Sequence, residues 1–147
     1  MSAPGHTLVF LCVANSARSQ MAEGLARATA PPGWSVHSAG SNPGVLSSRA
    51  VAAMREIGID ISQHHSKGLD DVPYATADAV ITLCAEQVCP VAPGIGRRLH
   101  WPLPDPAAAS GTAEEQLQAF RTVRAELARR IAELWEAVTA ASRRPPP

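Results

Sequence analysis

Residues Thr7 to Val13 are apolar without the alternation that marks a strand with one face in water. Such a strand is buried on both faces, and a sheet buried on both faces is built from parallel strands with covering crossovers. The rest of the chain supplies matching elements. Ser19 to Ala30 carries Met21, Leu25 and Ala28 at helical spacing, and Pro31-Pro32-Gly33 stops it. Trp34 to Ala39 predicts a second strand. Ser47 or Ser48 can cap a helix running to Ile57, with Gly58 ending it. Ala79 to Leu83 predicts a third, buried strand and Arg98 to Trp101 a weaker fourth. Pro102 to Gly111 reads as a loop. Ser110 or Thr112 then opens a long helix to about Val138, with Leu117, Phe120, Val123, Leu127, Ile131 and Leu134 as its apolar stripe. The expected fold class is therefore α/β: three layers, a four-stranded parallel sheet with helices on both faces.

The first strand leads directly into the loop Cys12-Val13-Ala14-Asn15-Ser16-Ala17-Arg18, and Ser19 follows. Strand, tight loop and helix make an oxyanion site, because the loop N–H groups can point inward and the helix adds the positive end of its dipole. Val13, Ala14, Asn15, Ser16, Ala17, Arg18 and Ser19 are the expected oxyanion-binding residues. Arg18 offers a planar, permanently charged fork that grips two oxygens of a tetrahedral anion. The same positive field favours the thiolate of Cys12, the form that attacks, and Ser19 can donate a hydrogen bond to it. The loop sits at the carboxyl end of the first strand, where open α/β sheets bind ligands.

The chain has 147 residues, enough for one domain with a full core, and no linker divides it. A single domain over 1–147 is expected, with about 140–147 as a tail ending Arg143-Arg144-Pro145-Pro146-Pro147. Thirteen basic residues balance thirteen acidic ones, which argues against nucleic acid or a membrane surface as a partner held by bulk charge. No apolar stretch reaches membrane-spanning length and no secretory signal opens the sequence, so a cytoplasmic protein is expected. Its three cysteines are then mainly reduced, and a disulfide would be transient and catalytic.

Cys84 follows the third strand, Cys89 lies five residues on, and Asp105-Pro106 lies past the fourth strand. In a parallel sheet all of these reach the rim that holds Cys12. For the two cysteines the alternatives are small buried hydrophobes or a thiol relay with Cys12. For Asp105 they are a turn aspartate before proline or an acid that protonates a leaving oxygen. His64-His65 reads as a surface segment, since adjacent side chains diverge and no further ligand lies at metal spacing. No metal site is expected.

The loop Cys12 to Arg18 resembles the phosphate loop of the low-molecular-weight tyrosine phosphatases and of the arsenate reductases sharing their fold. Over a longer stretch, Leu11 to Gly24 is similar to the thioredoxin-coupled arsenate reductases. So are Ser38-Ala39-Gly40, Met54 to Ser62, Ile81 to Cys84, Cys89-Pro90, His100-Trp101 and Asp105-Pro106. The resemblance implies reduction of arsenate to arsenite. Cys12 would attack arsenate, Asp105 would protonate the departing hydroxyl, and Cys84 would release arsenite by forming a Cys12–Cys84 disulfide. Cys89 would then move the disulfide to Cys84–Cys89, and thioredoxin or a similar thiol donor would reduce it. No bound cofactor is implied, and a monomer is expected. The alternative is a phosphatase of the same fold using Cys12, Arg18 and Asp105. Against it, Ala107-Ala108-Ala109-Ser110 builds no wall for a phenyl ring. A non-enzymatic oxyanion-binding or redox-sensing module would not need Asp105.

Several positions depart from the family pattern. Ala14 stands where many relatives have Gly, so its backbone must avoid a strongly positive φ. Ala17 stands where relatives often have a second loop cysteine. The Cys84–Cys89 spacing is short. Lys67 falls near where some relatives carry an aspartate that helps hold potassium, close to Asn15, Glu23 and Ser38. In a regular helix, residues five apart are too distant for a disulfide, so a helical Ala85–Val88 would have to unwind for Cys84 and Cys89 to bond.

Overall fold

A computed structural model describes residues 5–85 and 97–142. Four strands, β1 (His6–Cys12), β2 (Trp34–Gly40), β3 (Ala79–Cys84) and β4 (Arg97–Leu103), form one sheet in the order β2-β1-β3-β4. Every pairing is parallel, with Leu11 opposite Ala39 on one side and Thr82 on the other. The helices are α1 (Arg18–Thr29), α2 (Ser48–Arg55) and α3 (Ala113–Ser142), with 3-10 turns at Leu69–Asp71 and Pro106–Ala108.

β1 lacks alternation because it is a central strand with both faces covered. Leu8 and Phe10 join one core with Met21, Met54, Phe120 and Leu127. Val9 and Leu11 join a second with Ala39, Val72, Ala77 and Val80. Among the described residues the three α-helices all serve the first core, and the second face is covered by the Leu69–Asp71 turn and the segment after it. The Arg98 guanidinium holds that segment down by donating to the Tyr74 carbonyl at 3.0 Å.

The element ends follow local chemistry. The Ser47 hydroxyl accepts from the Ala50 N–H and starts α2, which ends at Arg55 rather than Ile57. Gly58 supplies the left-handed conformation, φ +79°, beyond it. Thr112, not Ser110, opens α3: Thr112 Oγ1 accepts from the Glu115 N–H, and Glu115 Oε1 accepts from the Thr112 N–H, both at 3.1 Å. The predicted stripe of α3 is buried from Phe120 to Leu134, with Trp135 added. β4 runs three residues beyond its expected start and end taken together, through Pro102 to Leu103. Proline is tolerated there because β4 is an edge strand with one side unpaired. Among the described residues no helix is long and apolar enough to cross a membrane.

Two contacts fix how neighbouring elements sit. Glu56, just past α2, takes a two-pronged bond from Arg121 of α3, with Nε and Nη2 at 2.9 and 2.7 Å, and a third from Arg124 at 2.8 Å. Those guanidinium hydrogen bonds, Arg121 first, pull the Glu56 carboxyl down from 4.5 to about 2. A depressed carboxylate stabilises the fold above its unfolded value, and the contribution is lost as pH falls through its folded value. In urea unfolding, Glu56→Gln is expected to be less stable than the parent at neutral pH. The difference should shrink as pH drops from 4.5 towards 2. A difference that stays constant with pH would mean that the ion pair contributes nothing.

Gly40 closes β2 against the loop after β1. A Cβ there would land on the Val13 carbonyl oxygen and within 2.8 Å of the Asn15 nitrogen. These are backbone atoms, so nothing flexible can move aside. Gly40→Ala is expected to cost about 3 kcal/mol, comparable with a severe overpacking substitution. It should also weaken sulfate or phosphate binding, measured by calorimetric titration.

Candidate active site

The loop is shaped from outside. Its carbonyls at Cys12, Val13, Ala14 and Ser16 accept from the N–H groups of Ser41, Asn42, Gly44 and Ser47, at 3.3, 2.8, 2.9 and 2.8 Å. With the carbonyls turned out to that segment, the loop N–H groups are free to face inward. Ala17 caps α1 without any side-chain hydrogen bond, so the first-turn N–H groups are not met by a capping side chain. The loop encloses a cavity of about 120 Å3, lined by Cys12, Val13, Ala14, Ser16, Ala17, Arg18 and Asp105. That suits a small inorganic anion; cavities for drug-sized ligands run to roughly 300–1,000 Å3. Two larger grooves, of about 690 and 730 Å3, bring no cysteine to their walls.

The left-handed residue of the loop is Asn15, φ +50°, and Ala14 avoids positive φ as its side chain requires. Asparagine tolerates this conformation, and here its side chain is fully used. Asn15 Oδ1 accepts from the Lys67 N–H at 2.9 Å and from Gln20 Nε2 at 3.0 Å. Its Nδ2 must therefore face the two serines, Ser19 Oγ at 2.7 Å and Ser38 Oγ at 3.0 Å. Ser38 passes its own proton to Glu23 Oε1 at 2.7 Å. Ser19, having accepted from Asn15, has its proton left for Cys12 Sγ at 2.8 Å. The Asn15 N–H also points at Cys12 Sγ, 3.3 Å away. The sulfur thus receives hydrogen bonds and gives none, which is the pattern a thiolate needs. Cys12 is a free cysteine, 2% exposed.

Arg18 is buried, and its Nη1 donates to the Leu103 carbonyl at 3.1 Å, tying the guanidinium to the end of β4. Two residues further on, Asp105 joins the cavity wall. Asp105 Oδ1 also accepts from the Ala107 N–H at 3.0 Å, capping the Pro106–Ala108 turn. The turn role and the place at the cavity are both realised, and the first fixes the second. Cys84 is buried at the end of β3, opposite Leu103 in register, so it shares the rim with Arg18 and Cys12. Cys84 is disulfide-bonded, whereas Cys12 is not. Cys89 lies outside the described residues, and so does the expected unwinding of the stretch after Ala85.

The expected surface character of His64-His65 needs correcting for His64. Its Nδ1 donates to Gln20 Oε1 at 2.9 Å and lies 3.5 Å from Glu23 Oε2. Burial holds its imidazole below the ordinary histidine value, which keeps it neutral near pH 7. Gln20 is a part of the site that the sequence motifs do not mark: its Nε2 reaches the Asn15 and His65 carbonyls as well as Asn15 Oδ1. The available signal is that Ser19, Gln20 and Glu23 are polar and lie on the stretch of α1 that is buried all round. Among the described residues no group of three or more His, Cys, Asp or Glu side chains is placed to hold a metal.

The low molecular weight phosphotyrosine protein phosphatase family model matches residues 7–144. An arsenate reductase of Halalkalibacterium halodurans is 47% identical over 126 residues, covering 84% of this chain and 91% of the relative. Among solved structures, an arsenate reductase in a phosphate-binding state superimposes with a TM-score of 0.74 at 34% identity, over 90% of this chain and 98% of the other. A thioredoxin-dependent arsenate reductase of Corynebacterium glutamicum gives 0.73 at 31% identity, over 96% of this chain and 65% of the other. The strand-to-helix loop with its cysteine and arginine is thus found in the setting those proteins share, and the chain belongs to the low molecular weight phosphotyrosine protein phosphatase family.

Proposed function

We propose that this protein reduces arsenate to arsenite through a relay of Cys12, Cys84 and Cys89, recycled by thioredoxin. The observation that carries the reading is the pairing of states at one rim. Cys12 is a free sulfur facing an oxyanion cavity with Arg18 and Asp105, and Cys84 beside it is held in a disulfide. The last state of such a relay has those features. The arsenate reductases among the relatives support the choice of oxyanion.

The chemistry balances as follows. The Cys12 thiolate attacks arsenic, forming an S–As bond, while an arsenate hydroxyl leaves as water with a proton from Asp105. The Cys84 thiolate then attacks the Cys12 sulfur. The S–As electron pair stays on arsenic, which leaves as arsenite, two electrons richer, and a Cys12–Cys84 disulfide remains. The Cys89 thiolate attacks Cys84, expelling the Cys12 thiolate and leaving Cys84–Cys89 as the oxidised pair. A thioredoxin dithiol takes over that disulfide. The loop N–H groups and the Arg18 fork hold the anion, so the thiolate meets a substrate whose charge is already neutralised. Action as a cytoplasmic monomer with no bound cofactor belongs to the same reading.

A phosphatase reading shares Cys12, Arg18 and Asp105. Beyond Asp105, however, the chain offers Ala107, Ala108 and Ala109, of which the first two are exposed, and no aromatic wall. Weak phosphatase activity is expected as a side reaction, because phosphate and arsenate share shape and charge.

Purified protein with arsenate, thioredoxin, thioredoxin reductase and NADPH tests the relay. Cys12→Ser should abolish arsenite release and any hydrolysis of para-nitrophenyl phosphate. Cys84→Ser should abolish arsenite turnover but keep the hydrolysis. Cys89→Ser should stop after one turnover with a Cys12–Cys84 disulfide detectable by peptide mass. Sustained turnover by Cys84→Ser would overturn the relay.

Asp105→Asn should slow the single-turnover chemical step by about a hundredfold or more, the usual worth of general-acid help. Sulfate should still protect Cys12 from alkylation in that variant. An unchanged rate would leave Asp105 with its turn-capping role alone.

A further inference from the structure

The side chains that line the oxyanion cavity include one polar group with no task so far. Val13, Ala14 and Ala17 bring apolar side chains to the wall. The Cys12 sulfur is met by Ser19 Oγ at 2.8 Å and by the Asn15 N–H at 3.3 Å. Arg18 only donates, and its Nη1 is tied to the Leu103 carbonyl. Asp105 spends Oδ1 on the Ala107 N–H at 3.0 Å. Ser16 remains. It is half-buried in the cavity wall, and its carbonyl is turned outward to the Ser47 N–H at 2.8 Å. Among the described residues its hydroxyl has no hydrogen-bond partner.

A hydroxyl differs from the loop N–H groups and from Arg18, because it both donates and accepts. Those other groups donate to the charged oxygens of a tetrahedral anion. Attack by sulfur displaces an oxygen roughly in line with it. Three oxygens then face the loop, and the fourth is the departing one, which Asp105 protonates in the reading above. In arsenate or phosphate that fourth oxygen is bare or carries a proton, so a neighbouring hydroxyl finds a partner in either form. In an organic monoester it carries carbon, which removes the proton and crowds the lone pairs. A half-buried hydroxyl that meets carbon is left unpaired, and an unpaired polar group counts against the ligand that leaves it so.

We propose that Ser16 is a specificity-determining residue: its hydroxyl pairs with the one oxygen of the anion that the loop N–H groups and Arg18 leave unheld, and so selects an inorganic oxyanion over an organic one. The missing aromatic wall beyond Asp105 withholds contacts from an organic group. Ser16 adds a contact that only the inorganic anion completes. The inference rests on the loop being an oxyanion site, and its test needs no arsenate.

The full chain, reduced with dithiothreitol, is titrated calorimetrically with phosphate and with methylphosphonate, in which a methyl group of similar size replaces the fourth oxygen. One alkaline pH at which both are dianions serves for all titrations. The parent is expected to bind phosphate more tightly. Ser16→Ala should weaken phosphate binding about tenfold, the scale of one hydrogen bond to a charged partner, and leave methylphosphonate nearly unchanged. Ser16→Thr keeps the hydroxyl and should keep the preference. An equal loss for both anions in Ser16→Ala would mean that the hydroxyl only supports the loop, and would overturn the proposal. An unchanged preference in that variant, or a parent that binds methylphosphonate as tightly as phosphate, would overturn it too. The comparison within the parent decides the matter if Ser16→Ala does not fold. A parent that binds neither anion would overturn the oxyanion reading of the cavity and this proposal with it. Absent arsenite release in a parent that still selects phosphate would instead count against the relay alone.

Discussion

The side-chain amide of Asn15 is the interaction on which the rest of the site depends. An amide has a donor end and an acceptor end, and the neighbours of Asn15 leave it one orientation. A main-chain N–H from residue 67 and the Gln20 amide both donate to its oxygen. The nitrogen then faces Ser19 and Ser38, and the directions of four further hydrogen bonds follow without choice. A weak element, a single left-handed asparagine, is made rigid by partners from α1, β2 and the segment at 65–67. Local backbone strain is accepted where it orients a reactive atom.

Parallel topology does the assembly. All strands end at the same edge, so β1 delivers Cys12, β3 delivers Cys84, and β4 delivers the carbonyl that holds Arg18 and the turn that holds Asp105. No long side-chain reach is needed. The residues of the cavity are 93 positions apart in sequence at the extremes, Cys12 and Asp105, but adjacent in the fold because each follows or flanks a strand end.

The parts of this arrangement legible in the sequence are those whose cause is local. β1 betrays its burial by the missing alternation in Leu8 to Leu11, and α3 betrays its packed face by a stripe of period 3.6. The loop is legible because cysteine, arginine and the following serine lie within eight residues. The polarity of the site is not legible, because it is set across long separations: Lys67 lies 52 residues from Asn15, and Gln20 lies 44 from His64. The inward turn of His64 is hidden for the same reason, since its neighbour His65 is exposed and nothing local distinguishes the two. The extension of β4 through Pro102 depends on the edge position of the strand, which is a property of the whole sheet.

The outward carbonyls of the loop have a further consequence. Their partners, Ser41 to Ser47, belong to the crossover that leaves β2, so the concave face shown to an anion is the far side of a ladder made with a segment some thirty residues later. A peptide of the sequence from Cys12 to Ser19 would have the charges and the nucleophile but no reason to turn its amides inward. Moving that stretch into another protein would require moving its template as well. In the folding chain, competence to hold an oxyanion can arise only after β1 and β2 have paired and the crossover has closed behind the loop. The site is therefore a late product of tertiary structure, although its reactive residues are nearly contiguous in sequence.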